Sequence, residues 1–207
     1  MTHAFLARLP RGVVPASELR ERPLCAGDVW SLDALAGRFV EISGAALTAT
    51  AKLILEVQRR GMFTAWIGDA CSCFFPPDMA ASGVDLPSLP VVRAPDALGA
   101  WRAADILIRS GGFALVIVDC GRDAEFPLNI QNRLAGLAKQ HHAALVWIAR
   151  RSRQCSPPSS LVSLRMEAER GLVGFDRFAC ELRTVKDKRA ITGRTHREVC
   201  RGSDGLC

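Results

Sequence analysis

Hydrophobic and polar positions along the chain follow two different periods, and the change between them divides it. From about residue 38 to residue 149, apolar runs of strand length alternate with stretches of helical spacing. RFVEIS (38–43) predicts a strand. LTATAKLILEVQRR (47–60) follows with apolar residues at Leu47, Ala51, Ile54, Leu55 and Val57, the spacing of one helix face, and Gly61 supplies a stop. FTAWIG (63–68) and PVVRA (90–94) predict two further strands, separated by a loop that includes one turn of helix. Asp96 is placed to cap a helix that Gly111-Gly112 ends. FALVIVDC (113–120) and AALVWIA (143–149) are continuous apolar runs, as expected of parallel strands buried on both faces. Between them a helix opens at Pro127 and runs to about His142. Upstream, Ser31 is a suitable cap for the short helix SLDALAG, which Gly37 closes.

After residue 150 the period shortens. SLVSLRMEAE (160–169) and FACELRTVKDK (178–188) alternate apolar with polar residues, as half-exposed strands do, and THREVC (195–200) repeats the pattern. Together these predict an α/β fold. A mostly parallel central sheet carries helices on both faces, with antiparallel strands at one edge toward the C-terminus. The expected organisation is an irregular segment over 1–27, where Pro10, Pro15 and Pro23 interrupt any long helix, a core over 28–195, and a basic tail over 196–207.

Composition adds a few constraints. The 207 residues suit one domain. No apolar run reaches the ~18 residues of a membrane span, and MTHAFLARLPRG has no signal-peptide pattern, so a cytoplasmic location is expected. The eight cysteines contain no C-x-x-C pair, and the four histidines do not cluster with them, so no metal site is expected and reduced thiols are. The formal charge of +6 is uneven. Residues 150–207 hold 13 Lys/Arg against 7 Asp/Glu, while residues 1–149 balance at 14 of each. This predicts a polyanion or an acidic partner at that end, or simply a solvated basic surface.

Several strings also resemble the core of the RecA recombinases: GRFVEISG (37–44), EVQRRGMFTAWIGD (56–69), ADILIRSGGFALVIVDC (104–120), RLAGLAKQHHAALVWIA (133–149) and LRTVKDKR (182–189). The resemblance covers roughly residues 28–195. It implies a RecA-like sheet. Length, a shortened core and a lost phosphate loop resemble most the ImuA family, accessory proteins of damage-induced mutagenesis that are similar both to RecA and to the SulA division inhibitors.

A working phosphate loop reads G-x-x-x-x-G-K-[ST] between a strand and a helix; its backbone wraps the phosphates, its lysine neutralises charge and its hydroxyl holds magnesium. Aligned on the resemblance, the chain reads Gly44-Ala45-Ala46-Leu47-Thr48-Ala49-Thr50-Ala51. Ala49 replaces the second glycine, Thr50 the lysine and Ala51 the hydroxyl residue. Lys52 comes one residue late, about 100° round the helix. Asp119 stands where the resemblance places the Walker B acid. Its two readings are a magnesium-water contact or a relic that satisfies a loop N–H. The region matching the catalytic glutamate is Gly68-Asp69-Ala70-Cys71, and Ala149-Arg150 stands where the resemblance places a glutamine. No catalytic residue and no cofactor are therefore expected.

Binding is expected instead. The resemblance places the counterparts of the DNA-gripping loops at 121–128 and 149–161. The candidate DNA- or partner-binding cations are Arg150, Arg151, Arg153, Lys186, Lys188, Arg189, Arg194 and Arg197. No aromatic residue lies within 179–207, so stacking platforms are scarce and single-stranded DNA binding is expected to be weak, salt-sensitive and sequence-independent. The expected role is a non-catalytic accessory of the SOS response, supporting translesion synthesis through contact with RecA or an inactive polymerase-like subunit of the mutasome, in the cytoplasm or at the nucleoid. The alternatives are a SulA-like division inhibitor and a RecA-like ATPase or recombination mediator.

Overall fold

A computed structural model describes residues 29–121, 127–149, 160–174, 177–190 and 192–201. Among these, eight strands form one sheet in the order β3-β2-β4-β5-β1-β6-β7-β8. The strands are β1 (Phe39–Gly44), β2 (Phe63–Gly68), β3 (Val91–Arg93), β4 (Phe113–Asp119), β5 (Ala144–Ala149), β6 (Leu164–Leu172), β7 (Arg177–Asp187) and β8 (Thr195–Arg201). The six from β3 to β6 in that order are parallel, and β7 and β8 are antiparallel additions at the C-terminal edge. This is the predicted α/β architecture.

Alternation along the strands builds two cores. In β4, Leu115 and Ile117 face α1 (Leu32–Leu35), α2 (Ala46–Arg59) and α3 (Pro76–Ala81), where Leu35, Leu53, Ile54 and Val57 are completely or almost completely buried. Val116 and Val118 face the other way, toward α4 (Ala97–Arg109) and α5 (Leu128–Gln140), packing with Trp101, Ile108 and Leu134. Trp101 meets Trp147 edge-on at 5.8 Å between centroids. Helices thus cover both faces, each side chain of the size of Leu53 contributing on the order of 2 kcal/mol by leaving water.

The predicted caps form. The Ser31 hydroxyl accepts from the Ala34 N–H, and Asp96 accepts from the Gly99 N–H at 2.6 Å. Gly61 and Gly111 turn with φ of +68° and +70°. Glu56 of α2 accepts from the Leu32 N–H, which ties α1 to α2.

Four boundaries differ from expectation. Helix α2 starts at Ala46, one residue after β1, because Ala46, Leu47, Ala49 and Ala51 are strong helix formers and no glycine lies between Gly44 and the end of the helix. Strand β6 runs from Leu164 to Leu172, later than 160–169, since Leu164 is the first residue paired to β1. Residues 76–81 form a helix opened by its own prolines. Residues 195–201 are a sheet strand paired along its length with β7, so the core extends to 201 and the boundary at 195 falls inside it. Residues 1–28, which include the segment expected to be irregular, and 202–207 lie outside the described residues.

Candidate functional site

In a parallel α/β sheet, ligands bind at the carboxyl ends of the strands. Here that edge carries Gly44, Gly68, Asp119 and Ala149, aligned by the strand register. Everything hinges on the turn from β1 to α2. It is one residue long, Ala45, and its N–H donates to the Ala168 carbonyl of β6 at 2.9 Å. Gly44 has φ +80°, and a Cβ placed on it would lie 2.2 Å from that same carbonyl oxygen. The glycine is there to let β6 approach.

The residues expected in a loop are instead the first turns of the helix. Ala49, Thr50 and Ala51 are buried. The Thr50 hydroxyl donates back to the Ala46 carbonyl at 2.8 Å, a local bond within the helix. Lys52 points away from the turn and forms an ion pair with Glu198 of β8. Burial works against its charge, but hydrogen bonds to Glu198 and Cys200 outweigh that and hold the ammonium above the ordinary lysine range. It lines a cavity of about 70 Å³ with Trp30, Glu56, Cys180 and Glu198. The residues present do not fit a triphosphate with its metal: the wrapping loop has become helix, and the nearest lysine is engaged elsewhere.

Asp119 is wholly buried. One of its oxygens accepts from the Ser72 hydroxyl and the Cys73 N–H, both at 2.7 Å. Of its two readings, the loop-anchoring one has this geometry. Asp69, at the position matching the catalytic glutamate, accepts from the Cys71 N–H and the Gly121 N–H, each at 2.9 Å. The two carboxylates therefore staple the 69–74 loop across the ends of β2 and β4. Nothing in the sequence flagged Asp69 as a staple, although its position two residues before Cys71 is that of an Asx turn. Replacing Asp119 with alanine leaves the Ser72 hydroxyl and the Cys73 N–H, donors of two part-buried bonds, without that acceptor. Chemical denaturation is expected to show a loss of about 1–3 kcal/mol; unchanged stability would remove this structural role.

The candidate cations among the described residues do not converge. Arg150, Arg151 and Arg153 lie outside the described residues. Lys186 sits in β7 opposite Arg165, which faces Glu41 in β1; burial, then Lys188, lowers its pKa. Arg189 directs its guanidinium at the Ala36 and Gly37 carbonyls, closing α1. Lys188 and Arg194 lie in the β7–β8 connection with it, near the amino ends of the parallel strands. Arg197 is in β8 opposite Glu181, beyond their carboxyl ends. Arg183 is bonded to Glu167 at 2.7 Å. Among the described residues, the positive charge of this part of the chain is thus distributed over both ends of the sheet and interleaved with carboxylates.

Among the described residues, no group of three or more His, Cys, Asp and Glu side chains could hold a metal ion. Cys71 and Cys73 are exposed, while Cys120, Cys180 and Cys200 are buried. Burial, then the neighbouring Cys200, pushes the Cys180 thiol up. Since the thiolate is the reacting species, a maleimide pulse at pH 8 is expected to label Cys71 and Cys73 well before those three. Early modification of Cys180 in peptide maps would contradict that. The sign for stability follows from the same shift. The folded thiol holds its proton to higher pH than the unfolded one, so its contribution is present below about 9 and declines as pH rises further.

Among the described residues, no helix is long and apolar enough to cross a membrane. No protein-family model matches the chain, and no curated protein matches it in sequence.

Proposed function

We propose that the chain is a non-catalytic, RecA-like accessory protein of the SOS response that supports translesion synthesis by contacting RecA, an inactive polymerase-like subunit, or both. The observation that carries this reading is the one-residue turn between β1 and α2. A RecA-like sheet with that turn keeps the scaffold of a nucleotide-binding domain and fills its cradle with the Ala168 carbonyl. Lys52, Asp69 and Asp119, which resemble catalytic positions, are engaged in holding α2, β2, β4 and β8 together. What such a scaffold offers is surface.

DNA is a secondary ligand in this reading. The cations among the described residues are spread out and interleaved with carboxylates, so few phosphates are contacted at once and affinity is low. The test has two arms. Purified chain with magnesium and ATP should release no phosphate above background. Pull-downs with RecA filaments and with the polymerase-like subunit should retain the chain. Turnover that disappears in Lys52→Ala would replace this reading with an ATPase, and absence from both pull-downs would remove the accessory role.

A further inference from the structure

At the amino ends of the parallel strands, opposite the filled phosphate position, a groove runs over the surface. Its first part, about 400 Å³, is lined by Met62, Phe63, Phe113, His141 and His142, with Gly111 and Gly112. Its second part, about 520 Å³, continues between α4 and α5 along Arg109, Arg133, Gly136, Gln140 and His141. His141 borders both, so the two hollows adjoin at its side chain as one shallow, open channel. Its ends differ in chemistry. Phe63 is 63% exposed and Met62 42%, unusual for residues that open an interior strand. At the other end, Arg133 and Arg109 share one carboxylate, Asp105, with Arg133 Nε 2.5 Å from it. Among the described residues, one negative charge faces two positive ones there.

Gly136 sits on the channel wall in the middle of α5. Glycine in a helix interior costs about 1 kcal/mol relative to alanine. Among the described residues nothing requires it, since a Cβ there would meet no atom within 4 Å. A small residue at that point leaves room for something approaching from outside.

We propose that this channel docks an extended acidic peptide of a partner protein, with a large apolar side chain against Phe63 and Phe113 and carboxylates at Arg109 and Arg133. From His141 to Arg133 is eight helical residues, about 12 Å, which about four extended residues span. The partner segment therefore carries its acidic residues about four positions from its apolar anchor. The inference rests on the reading above that the chain acts by protein contact, and it names a surface for that contact.

The test uses the full chain and a short labelled peptide with one phenylalanine followed about four positions later by two glutamates, read by fluorescence anisotropy. Gly136→Leu fills the channel and should leave the melting temperature equal or higher. It should weaken binding at least about tenfold, as should Phe63→Ser and Arg133→Gln. Peptides with lysine for glutamate, or serine for phenylalanine, should bind more weakly by a similar factor. Equal binding by the wild-type chain and Gly136→Leu overturns the channel, as does failure of the wild-type chain to bind, whatever the pull-downs with RecA or the polymerase-like subunit give. An oligothymidylate that displaces the peptide and binds Phe63→Ser undiminished overturns the peptide as occupant. Intact peptide binding with failed pull-downs keeps the channel and discards those partners.

Discussion

Replacing Asp187 with alanine is expected to lower the free energy of unfolding by about 3–5 kcal/mol, a large part of the stability of an ordinary domain. Asp187 closes β7 opposite Leu164, and its carboxylate lies 2.5 Å from a terminal nitrogen of Arg38. The side chains are 3% and 4% exposed. Arg38 enters β1 and also donates to the Ser163 hydroxyl and carbonyl, joining the amino end of β1 to the segment before β6. Asp187 accepts from the Arg189 N–H at 2.8 Å as well. Removing the carboxylate leaves a guanidinium out of water with carbonyl and hydroxyl partners but no counter-charge, and that uncompensated charge is the source of the loss. Urea denaturation is the measurement, and the melting temperature should fall by roughly 10 °C or more for a chain of this length. The double substitution Arg38→Met with Asp187→Leu should recover much of the loss, because it removes both charges and restores apolar volume. Asp187→Ala within 0.5 kcal/mol of the parent, or a double variant no better than the single one, would show that the pair is unimportant. Asp33 makes a comparison: it also pairs with arginine, Arg60, but is 78% exposed, so water screens it and its removal should change little.

That pair was invisible in the sequence. Arg38 and Asp187 lie 149 positions apart, and each sits where a strand begins or ends, so neither breaks a period. The same holds for Lys52 and Glu198, whose contact depends on β8 adding to the sheet edge. What could be read was local. Continuous apolar runs in β4 and β5, helical spacing in α2 and caps at Ser31 and Asp96 each state their own structure within a few residues. The candidate cations rest on composition and on the resemblance, and neither states register: Arg197 falls opposite Glu181, and Lys186 opposite Arg165, only once β6, β7 and β8 align. The start of α2 was legible in principle. Ala46, Leu47, Ala49 and Ala51 favour helix from the first turn, and the apolar spacing alone places that start within one residue, at Leu47.

Gly44 separates that template from what the chain does with the residue. In a phosphate loop, glycine keeps Cβ atoms away from the ligand, and substituting it would reduce nucleotide affinity while the domain stays folded. Here the neighbour is the chain itself. A Cβ at residue 44 would lie 2.2 Å from the Ala168 oxygen and 3.3 Å from its carbon, both backbone atoms of a paired strand that cannot swing aside like a side chain. The φ of +80° adds strain of about 1–2 kcal/mol for any residue with a Cβ. Relief would require β6 to move from β1 at its last pair and break the Ala45 N–H bond to Ala168, which also anchors the start of α2. Gly44→Ala is therefore expected to destabilise the chain by about 3 kcal/mol or more, combining the strain with overpacking, and Gly44→Val more still. Thermal denaturation with and without magnesium-ATP distinguishes the two roles. If the variant keeps parental stability in buffer and loses only a nucleotide-induced rise in melting temperature, Gly44 belongs to a nucleotide site. If it loses stability equally in both, with no such rise in the parent, the glycine serves the close approach of β6.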